Sequence, residues 1–226
     1  MQRKTGTQCT PPLLDPAPTR VDAISIQTLV FQEFGSPSIG WKVGATTKAA
    51  QAGFKIDSPF YGPMAQAGVL ENGGELKKTP CIGACEPEYA FKMARDYPAN
   101  GEAINAETAA DAVDSVHAAI EVIGRCIGGT DYANGVGVTM DFGGNAAFII
   151  GPEVKDWQNQ DLTNAVVESK VDGEIVHTGN GEPIMGDPIN SLVWMAQTLA
   201  NTGKQVKAGE WVSTGTCTPA VPAEVG

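Results

Sequence analysis

The sequence is poor in the residues that build most zinc and redox sites. It has two histidines, His117 and His177, and its five cysteines include no Cys-x-x-Cys pair. Zinc sites use several histidine or cysteine ligands, so a zinc site with two or three histidines is strongly disfavoured. We interpret the cysteines as reduced, mostly buried thiols, with a catalytic cysteine as the minor alternative, because no motif supplies a base partner. A metal site in this chain would have to use oxygen ligands.

Positive charge and long apolar runs are also scarce. The chain has 15 Lys and Arg against 26 Asp and Glu, a formal net charge of −11. Such a surface repels nucleic acid and anionic lipid, so we predict that neither is a partner. No apolar run approaches the roughly 20 residues of a membrane span. The first twenty residues contain no hydrophobic stretch typical of a signal peptide. We therefore expect a cytoplasmic protein.

What is present indicates a globular α+β protein. Apolar residues make up 42% and charged residues 18% of the 226 residues, and 27 Gly and 15 Pro imply frequent turns. Frequent turns favour many short strands with two or three packed helices. The proline-rich start predicts a tether and short helix over residues 1–35, followed by one larger domain over residues 36–226.

Local patterns place the main elements. Alternation predicts strands over residues 38–44 and 81–94, and apolar spacing predicts a helix over residues 107–117 followed by a buried strand over 118–127. Asp172-Gly173 between alternating segments predicts a hairpin. Asp187 as N-cap and Pro188 in the first turn predict a helix that ends before Gly203.

Three glutamates are the strongest candidates for chemistry. Glu86 and Glu88 are spaced i and i+2, so on a strand both carboxylates lie on one face. Glu121 interrupts an apolar stretch, where an unpaired carboxylate costs several kcal/mol. Three carboxylates suit Mg²⁺ or Mn²⁺. The alternative is that Glu86 and Glu88 are solvated edge residues and that Glu121 pairs with Arg125 or a lysine.

Three further residues are weaker candidates. Lys42 lies between Gly40 and Gly44, where a ligand could approach closely, and a lysine there could hold a carboxylate or move a proton. Thr214 and Gly215 offer a hydroxyl and a backbone N–H for an anion. An isolated lysine is more often solvated, and threonine and glycine are ordinary turn residues.

The ordered motifs resemble a known family. They are Gly-Trp-Lys-Val-Gly at 40–44, Glu-Pro-Glu at 86–88, Ala-Arg-Asp-Tyr-Pro at 94–98, Ala-Ile-Glu-Val-Ile at 119–123, Gly-Asp-Pro at 186–188, Trp-Met-Ala at 194–196, Gly-Glu at 209–210 and Thr-Gly-Thr at 214–216. This order is similar to the 2-keto-4-pentenoate hydratase and 2-oxo acid decarboxylase group of the fumarylacetoacetate hydrolase superfamily. The resemblance runs from about residue 11 to the C terminus.

The resemblance implies a mixed-strand β roll preceded by a small helical region. It implies Mg²⁺ or Mn²⁺ held by Glu86, Glu88 and Glu121, with Lys42 in the pocket. A 2-oxo acid can chelate such an ion, which then stabilises the enolate. The implied activity is a lyase of aromatic-compound catabolism that hydrates a small 2-hydroxydienoic acid. A decarboxylase of an oxo-diacid such as 4-oxalocrotonate, a C–C hydrolase and a non-catalytic binder are the alternatives. A homo-oligomer is also expected.

The chain departs from the family pattern in three places. Gln66 and Ala67 stand where hydratases usually carry an acidic pair, so a proton-transfer carboxylate is missing. Asp141-Phe142-Gly143-Gly144 replaces an Asp-Asn-x-Ser motif, which predicts the loss of two polar pocket groups. Family members continue for about two more strands beyond residue 226, so we expect either a fragment or a sheet closed by a partner chain.

Overall fold

The computed structural model describes residues 5–225 and has an α+β architecture. Within this range the helices are α1 (Arg20–Phe34), α2 (Lys48–Gly53), α3 (Ala106–Asp111), α4 (Gly135–Met140) and α5 (Ile189–Ala200). The strands are β1 (Ser38–Gly44), β2 (Phe60–Ala65), β3 (Val69–Glu71), β4 (Ile82–Met93), β5 (Val113–Gly124), β6 (Asn145–Glu153), β7 (Val167–Val171), β8 (Glu174–Gly179), β9 (Trp211–Thr216) and β10 (Val221–Pro222). No helix in this range is long and apolar enough to cross a membrane.

Most strands form one mixed sheet that curls into a half-barrel. Its order is β2-β1-β9-β4-β5-β6-β3, with β10 also paired to β4. The β1–β9 and β3–β6 pairs are parallel and the other pairs are antiparallel. The two longest strands, β4 and β5, lie side by side near the middle of the sheet and carry the candidate carboxylates.

The N-terminal helix follows from local signals and packs onto the sheet. Thr19 and Asp22 form a reciprocal capping box at the start of α1, and Gly35 ends the helix with a left-handed φ of 72°. Gln27 is buried and donates to the carbonyl oxygens of Tyr61 and Thr139. The helix thus packs against the larger body, and the predicted domain division at residue 35 stays a prediction.

The main hydrophobic core lies between the sheet and α5. The face of α5 buries Leu192, Met195 and Leu199 against strand residues such as Phe91 and Val212. The predicted start of this helix is nearly right: it begins at Ile189, and the Asp187 carboxylate accepts a hydrogen bond from the Ile189 N–H at 2.9 Å. The Asp172-Gly173 hairpin joins β7 and β8 as predicted.

The helix predicted over residues 107–117 is wrong in its second half. Helix α3 ends at Asp111, and β5 begins at Val113. Val113 and Val116 favour extended backbone as β-branched residues, and β4 supplies a long antiparallel partner for them. Tertiary pairing therefore overrides the helical spacing of the apolar residues.

Candidate metal centre

The register between β4 and β5 brings the three candidate glutamates together. Glu86 lies directly opposite Glu121 in the antiparallel ladder, and Glu88 follows two residues later on the same face. One carboxylate oxygen from each residue lies within 4.8 Å of the other two. The three groups therefore form a compact cluster of oxygen donors in the sheet.

Each of the two most buried carboxylates is oriented by neighbouring donors. Glu121 is fully buried, and its Oε1 accepts a hydrogen bond of 3.0 Å from Asn145 Nδ2. Glu88 Oε2 accepts hydrogen bonds from the Ser213 hydroxyl and, at 3.1 Å, from the Gly215 N–H. These contacts restrict the carboxylates to fixed orientations, as expected for pre-positioned ligands.

Lys42 places an ammonium group next to this cluster. Its Nζ lies 2.9 Å from Glu121 Oε2 and donates to the Gly143 carbonyl at 3.0 Å. Burial opposes its charge, but the carboxylates of Glu121, Glu86 and Glu88 outweigh burial and raise the pKa of Lys42. The side chain is therefore charged at neutral pH and acts as a donor. The predicted lysine partner of Glu121 is thus Lys42, whereas Arg125 donates to the Tyr132 carbonyl.

The excess of negative charge disfavours the ionisation of all three glutamates together. Burial, and then the charge of Glu121, raise the pKa of Glu86 to about 7. Burial together with the charges of Glu121 and Glu86 also raises the pKa of Glu88 well above its usual range. Three carboxylates facing the Lys42 ammonium leave the cluster short of positive charge.

The donor set fits a divalent cation. Within residues 5–225, only four buried side-chain N or O atoms lack a hydrogen bond, and Glu88 Oε1 and Glu121 Oε2 are two of them. Glu121 Oε2 forms an ion pair with the Lys42 ammonium at 2.9 Å. Carboxylate oxygens are the preferred ligands of hard ions such as Mg²⁺ and Mn²⁺. A cation would supply the charge that this cluster lacks.

Thr214 and Gly215 lie beside the cluster, and their hydrogen-bond donors already have partners within the protein. Thr214 is fully buried, and its hydroxyl donates to the Tyr89 carbonyl at 3.1 Å. The Gly215 N–H donates to Glu88. Their assignment to a substrate carboxylate stays a prediction, and their observed contacts position the strand and the Glu88 side chain.

Asn145 and Ser213 were missed by the sequence reasoning. Asn145 begins β6, two strands from β4, and nothing in its local sequence connects it with Glu121. Ser213 lies in β9, which pairs with β1 on one side and β4 on the other. Ser213 stands directly before Thr214 and Gly215 in a strand with several polar residues, so no local signal distinguished it.

The substituted loop at Asp141-Phe142-Gly143-Gly144 retains a backbone role. Phe142 is buried and makes edge contacts with Phe31 and Phe34 of α1, so its ring faces the N-terminal helix. The Gly143 carbonyl accepts a hydrogen bond from Lys42. The loop therefore positions Lys42 through its main chain.

Gly62 allows this loop to reach Lys42. A Cβ on Gly62 would lie 1.9 Å from the Phe142 carbonyl oxygen. We expect Gly62→Ala to destabilise the protein by about 1–3 kcal/mol, because the loop must move away. Gly53→Ala is the matched control, since its Cβ meets no atom within 4 Å. Equal denaturant midpoints for both variants would contradict the packing described here.

A cavity with a largely apolar lining has Asn145, the hydrogen-bond partner of Glu121, in its wall. Its volume is about 530 Å³, and Ala67, Lys77, Lys78, Phe142 and Asn145 are among its lining residues. Asn145 connects the cavity with the cluster because its side chain also donates to Glu121. Gln66 and Ala67 form a short 3₁₀ turn after β2 and are exposed. A side chain at position 67 would therefore border the cavity that has Asn145 in its wall.

The fold recurs in solved structures. The 4-oxalocrotonate decarboxylase from Pseudomonas putida G7, complexed with calcium and acetate, has a TM-score of 0.86 and 26% identity, over 100% of this chain and 86% of that chain. The fumarylpyruvate hydrolase from Pseudomonas aeruginosa, complexed with Mn²⁺ and pyruvate, has a TM-score of 0.59 and 16% identity, over 82% and 80% of the two chains. The architecture is the fumarylacetoacetate hydrolase fold.

Sequence comparison identifies the group within this fold to which the chain belongs. The 2-hydroxyhexa-2,4-dienoate hydratase of Comamonas testosteroni is 30% identical over 224 residues, which are 95% of this chain and 83% of that protein. No protein-family model matches the chain. The chain belongs to the 2-keto-4-pentenoate hydratase and 4-oxalocrotonate decarboxylase group of the fumarylacetoacetate hydrolase superfamily. The resemblance in the sequence motifs is thereby confirmed.

Proposed function

We propose that this chain is a divalent-metal-dependent lyase that hydrates a small 2-hydroxydienoic or unsaturated 2-oxo acid, with 2-keto-4-pentenoate as the type of substrate. The observation that carries the proposal is the cluster of Glu86, Glu88 and Glu121 with Lys42 in contact, in which Glu88, Glu121 and Lys42 are buried. Relatives named as hydratases support the reaction class. Solved relatives complexed with magnesium, calcium or Mn²⁺ support a divalent ion.

The proposed ligands are Glu86, Glu88 and Glu121, and the ion is Mg²⁺ or Mn²⁺. When bound, such an ion supplies Lewis-acid polarisation of a 2-oxo acid's oxygens. Asn145 and Ser213 hold two of the carboxylates in orientation through hydrogen bonds to Glu121 and Glu88. The burial of Glu88 and Glu121 limits the access of water to their carboxylates and strengthens their electrostatic contacts.

Lys42 acts on the substrate from its charged form. Because its pKa is raised, Nζ keeps its proton at neutral pH and can donate a hydrogen bond to a substrate oxygen. Its second contact, with the Gly143 carbonyl, directs Nζ toward the cluster. Thr214 and Gly215 remain proposed contacts for the substrate carboxylate.

The test is turnover on a panel of acids with the metal-loaded protein. We expect metal-dependent loss of ultraviolet absorbance with 2-hydroxydienoates, abolished by a chelator and restored by Mg²⁺ or Mn²⁺. Release of CO₂ from oxo-diacids instead would identify a decarboxylase. Saturable, metal-dependent binding of 2-oxo acids without any product would identify a non-catalytic binder.

The decarboxylase alternative has a specific observation in its favour. Gln66 and Ala67 supply no carboxylate where hydratases usually have an acidic pair, and Ala67 borders the cavity next to Asn145. Decarboxylation needs mainly an electron sink, whereas hydration also needs proton delivery around the attacking water.

We therefore expect Ala67→Asp to raise hydratase turnover by up to about 10²–10⁴-fold, the usual contribution of general acid–base catalysis, with little change in decarboxylation. Ala67→Asn is the matched control, since it has a similar size without an ionisable group. Both rates are measured on the same metal-loaded preparations. Wild-type hydration as fast as that of Ala67→Asp would show that another residue moves the proton.

We also propose that the protein is a homo-oligomer of the cytoplasm that acts on a small molecule and binds neither nucleic acid nor membrane. Light scattering measures the oligomeric state, and cell fractionation measures the location. A monomer at micromolar concentration would contradict the first part.

A further inference from the structure

Two cysteines far apart in the sequence meet at the ends of the carboxylate-bearing strands. Cys81 precedes β4 and Cys126 follows β5, and the Arg125 N–H donates to the Cys81 carbonyl at 2.6 Å. Their Sγ atoms lie 2.7 Å apart, and both residues are buried. A disulfide requires side chains that point toward one another from neighbouring backbones, and the Sγ contact and the main-chain hydrogen bond place this pair in such an arrangement.

Both cysteines are among the residues that line the 530 Å³ cavity, through which we expect a small peroxide to approach them. Thr7, Lys77 and Thr79 line this cavity together with both cysteines. The Cys81 thiol donates to the Thr7 carbonyl at 3.1 Å. Cys85 and Cys217 lie elsewhere, in β4 and after β9, and neither lines the cavity.

We propose that Cys81 and Cys126 are an oxidation site, at which a small hydroperoxide converts the two thiols into a disulfide. One thiolate attacks the peroxide, the O–O bond breaks, and that sulfur becomes a sulfenic acid as water leaves. The second thiolate attacks this sulfur, the S–O bond breaks, and a second water leaves. In sum, two thiols and one hydrogen peroxide give one disulfide and two waters.

The proposed disulfide would enclose the segment that carries the candidate metal ligands. The loop closed by this bond, residues 81–126, contains Glu86, Glu88 and Glu121. The Asp141 carboxylate already holds the Cys126 and Ile127 N–H groups at 2.6 and 2.9 Å. A disulfide would also join Cys126 covalently to Cys81. Because the bond restricts the unfolded chain, the oxidised protein should melt at a higher temperature than the reduced protein.

The experiment treats the reduced wild-type chain with stoichiometric hydrogen peroxide and needs no assumption about its activity. We expect two of the five thiols to be lost when they are titrated under denaturing conditions. The chain mass should fall by about 2 Da, the two hydrogens lost on disulfide formation. Non-reducing peptide mapping should link Cys81 to Cys126, and dithiothreitol should restore all thiols.

Matched variants separate this pair from the other cysteines. Cys9→Ser and Cys85→Ser should still lose two thiols, whereas Cys81→Ser and Cys126→Ser should form no intramolecular disulfide under the same treatment. Five intact thiols in the treated wild type, a link through another cysteine, or oxidation that dithiothreitol does not reverse would each overturn the proposal. None of these outcomes depends on the proposed lyase activity.

Discussion

Replacing Glu88 with glutamine is expected to lower the affinity for Mg²⁺ or Mn²⁺ by about 100-fold or more, since even changes to groups that only support a ligand cost 10–100-fold. The same substitution should raise the melting temperature of the metal-free protein. Burial and the neighbouring carboxylates raise the pKa of Glu88 in the folded protein well above its ordinary value of 4.5. The unfolded chain ionises Glu88 more readily, so the free energy of unfolding falls as the pH rises above 4.5. Glutamine keeps the volume of the side chain and cannot ionise, so it removes this loss of stability.

Calorimetric titration and thermal melts with and without metal measure both effects. Glu174→Gln is the matched control, because Glu174 is exposed on β8 and lies outside the cluster. Its metal affinity should equal that of the wild type. Equal metal affinity in Glu88→Gln and wild type would remove Glu88 from the ligand set, whatever its effect on stability.

Replacing Lys42 with methionine is expected to lower turnover by about 10²–10³-fold, the usual cost of removing one positioned hydrogen-bond donor, while metal binding is retained. The ammonium competes with a cation for Glu121, because Nζ lies 2.9 Å from its Oε2. Without Lys42 the metal-free cluster keeps three carboxylates, two of them buried, and loses the ammonium that faces them. The metal-free variant should therefore be less stable than the wild type, and added metal should recover much of the loss.

Turnover, metal affinity and melting temperature together distinguish this role from a structural one. Lys170→Met is the matched control, because Lys170 is an exposed residue of β7 that pairs with Glu168. A Lys42→Met variant that binds metal and keeps wild-type turnover would show that Lys42 only balances charge. Loss of metal binding in that variant would show instead that Lys42 is needed to assemble the cluster.

Several features followed from the sequence because their causes are local. The i and i+2 spacing of Glu86 and Glu88 sets both carboxylates on one strand face wherever that strand lies. Asp172-Gly173 encodes a tight turn through the backbone freedom of those residues, and the hairpin forms there. The shortage of histidine leaves carboxylates as the available metal ligands, because composition limits the donors whatever the fold.

Other features depended on how distant segments pair. Glu121 joins the cluster only because the β4–β5 register sets it opposite Glu86, and a slip of one residue would turn it to the other face of the sheet. Lys42 reaches the same point from β1, which is separated from β4 by β9. The same strand pairing explains why the predicted helix over residues 107–117 stops at Asp111.

The sequence by itself thus determined the residue types of the centre, the strand that carries two of its carboxylates and the family order of its motifs. The tertiary structure alone decided that Asn145 and Ser213 orient the carboxylates, and that a loop without its expected polar side chains still holds Lys42 through the Gly143 carbonyl. The physical reason is the separation along the chain of the residues that interact. Turns and strand faces depend on neighbours along the chain, whereas a hydrogen bond between strands depends on a register that no local pattern specifies.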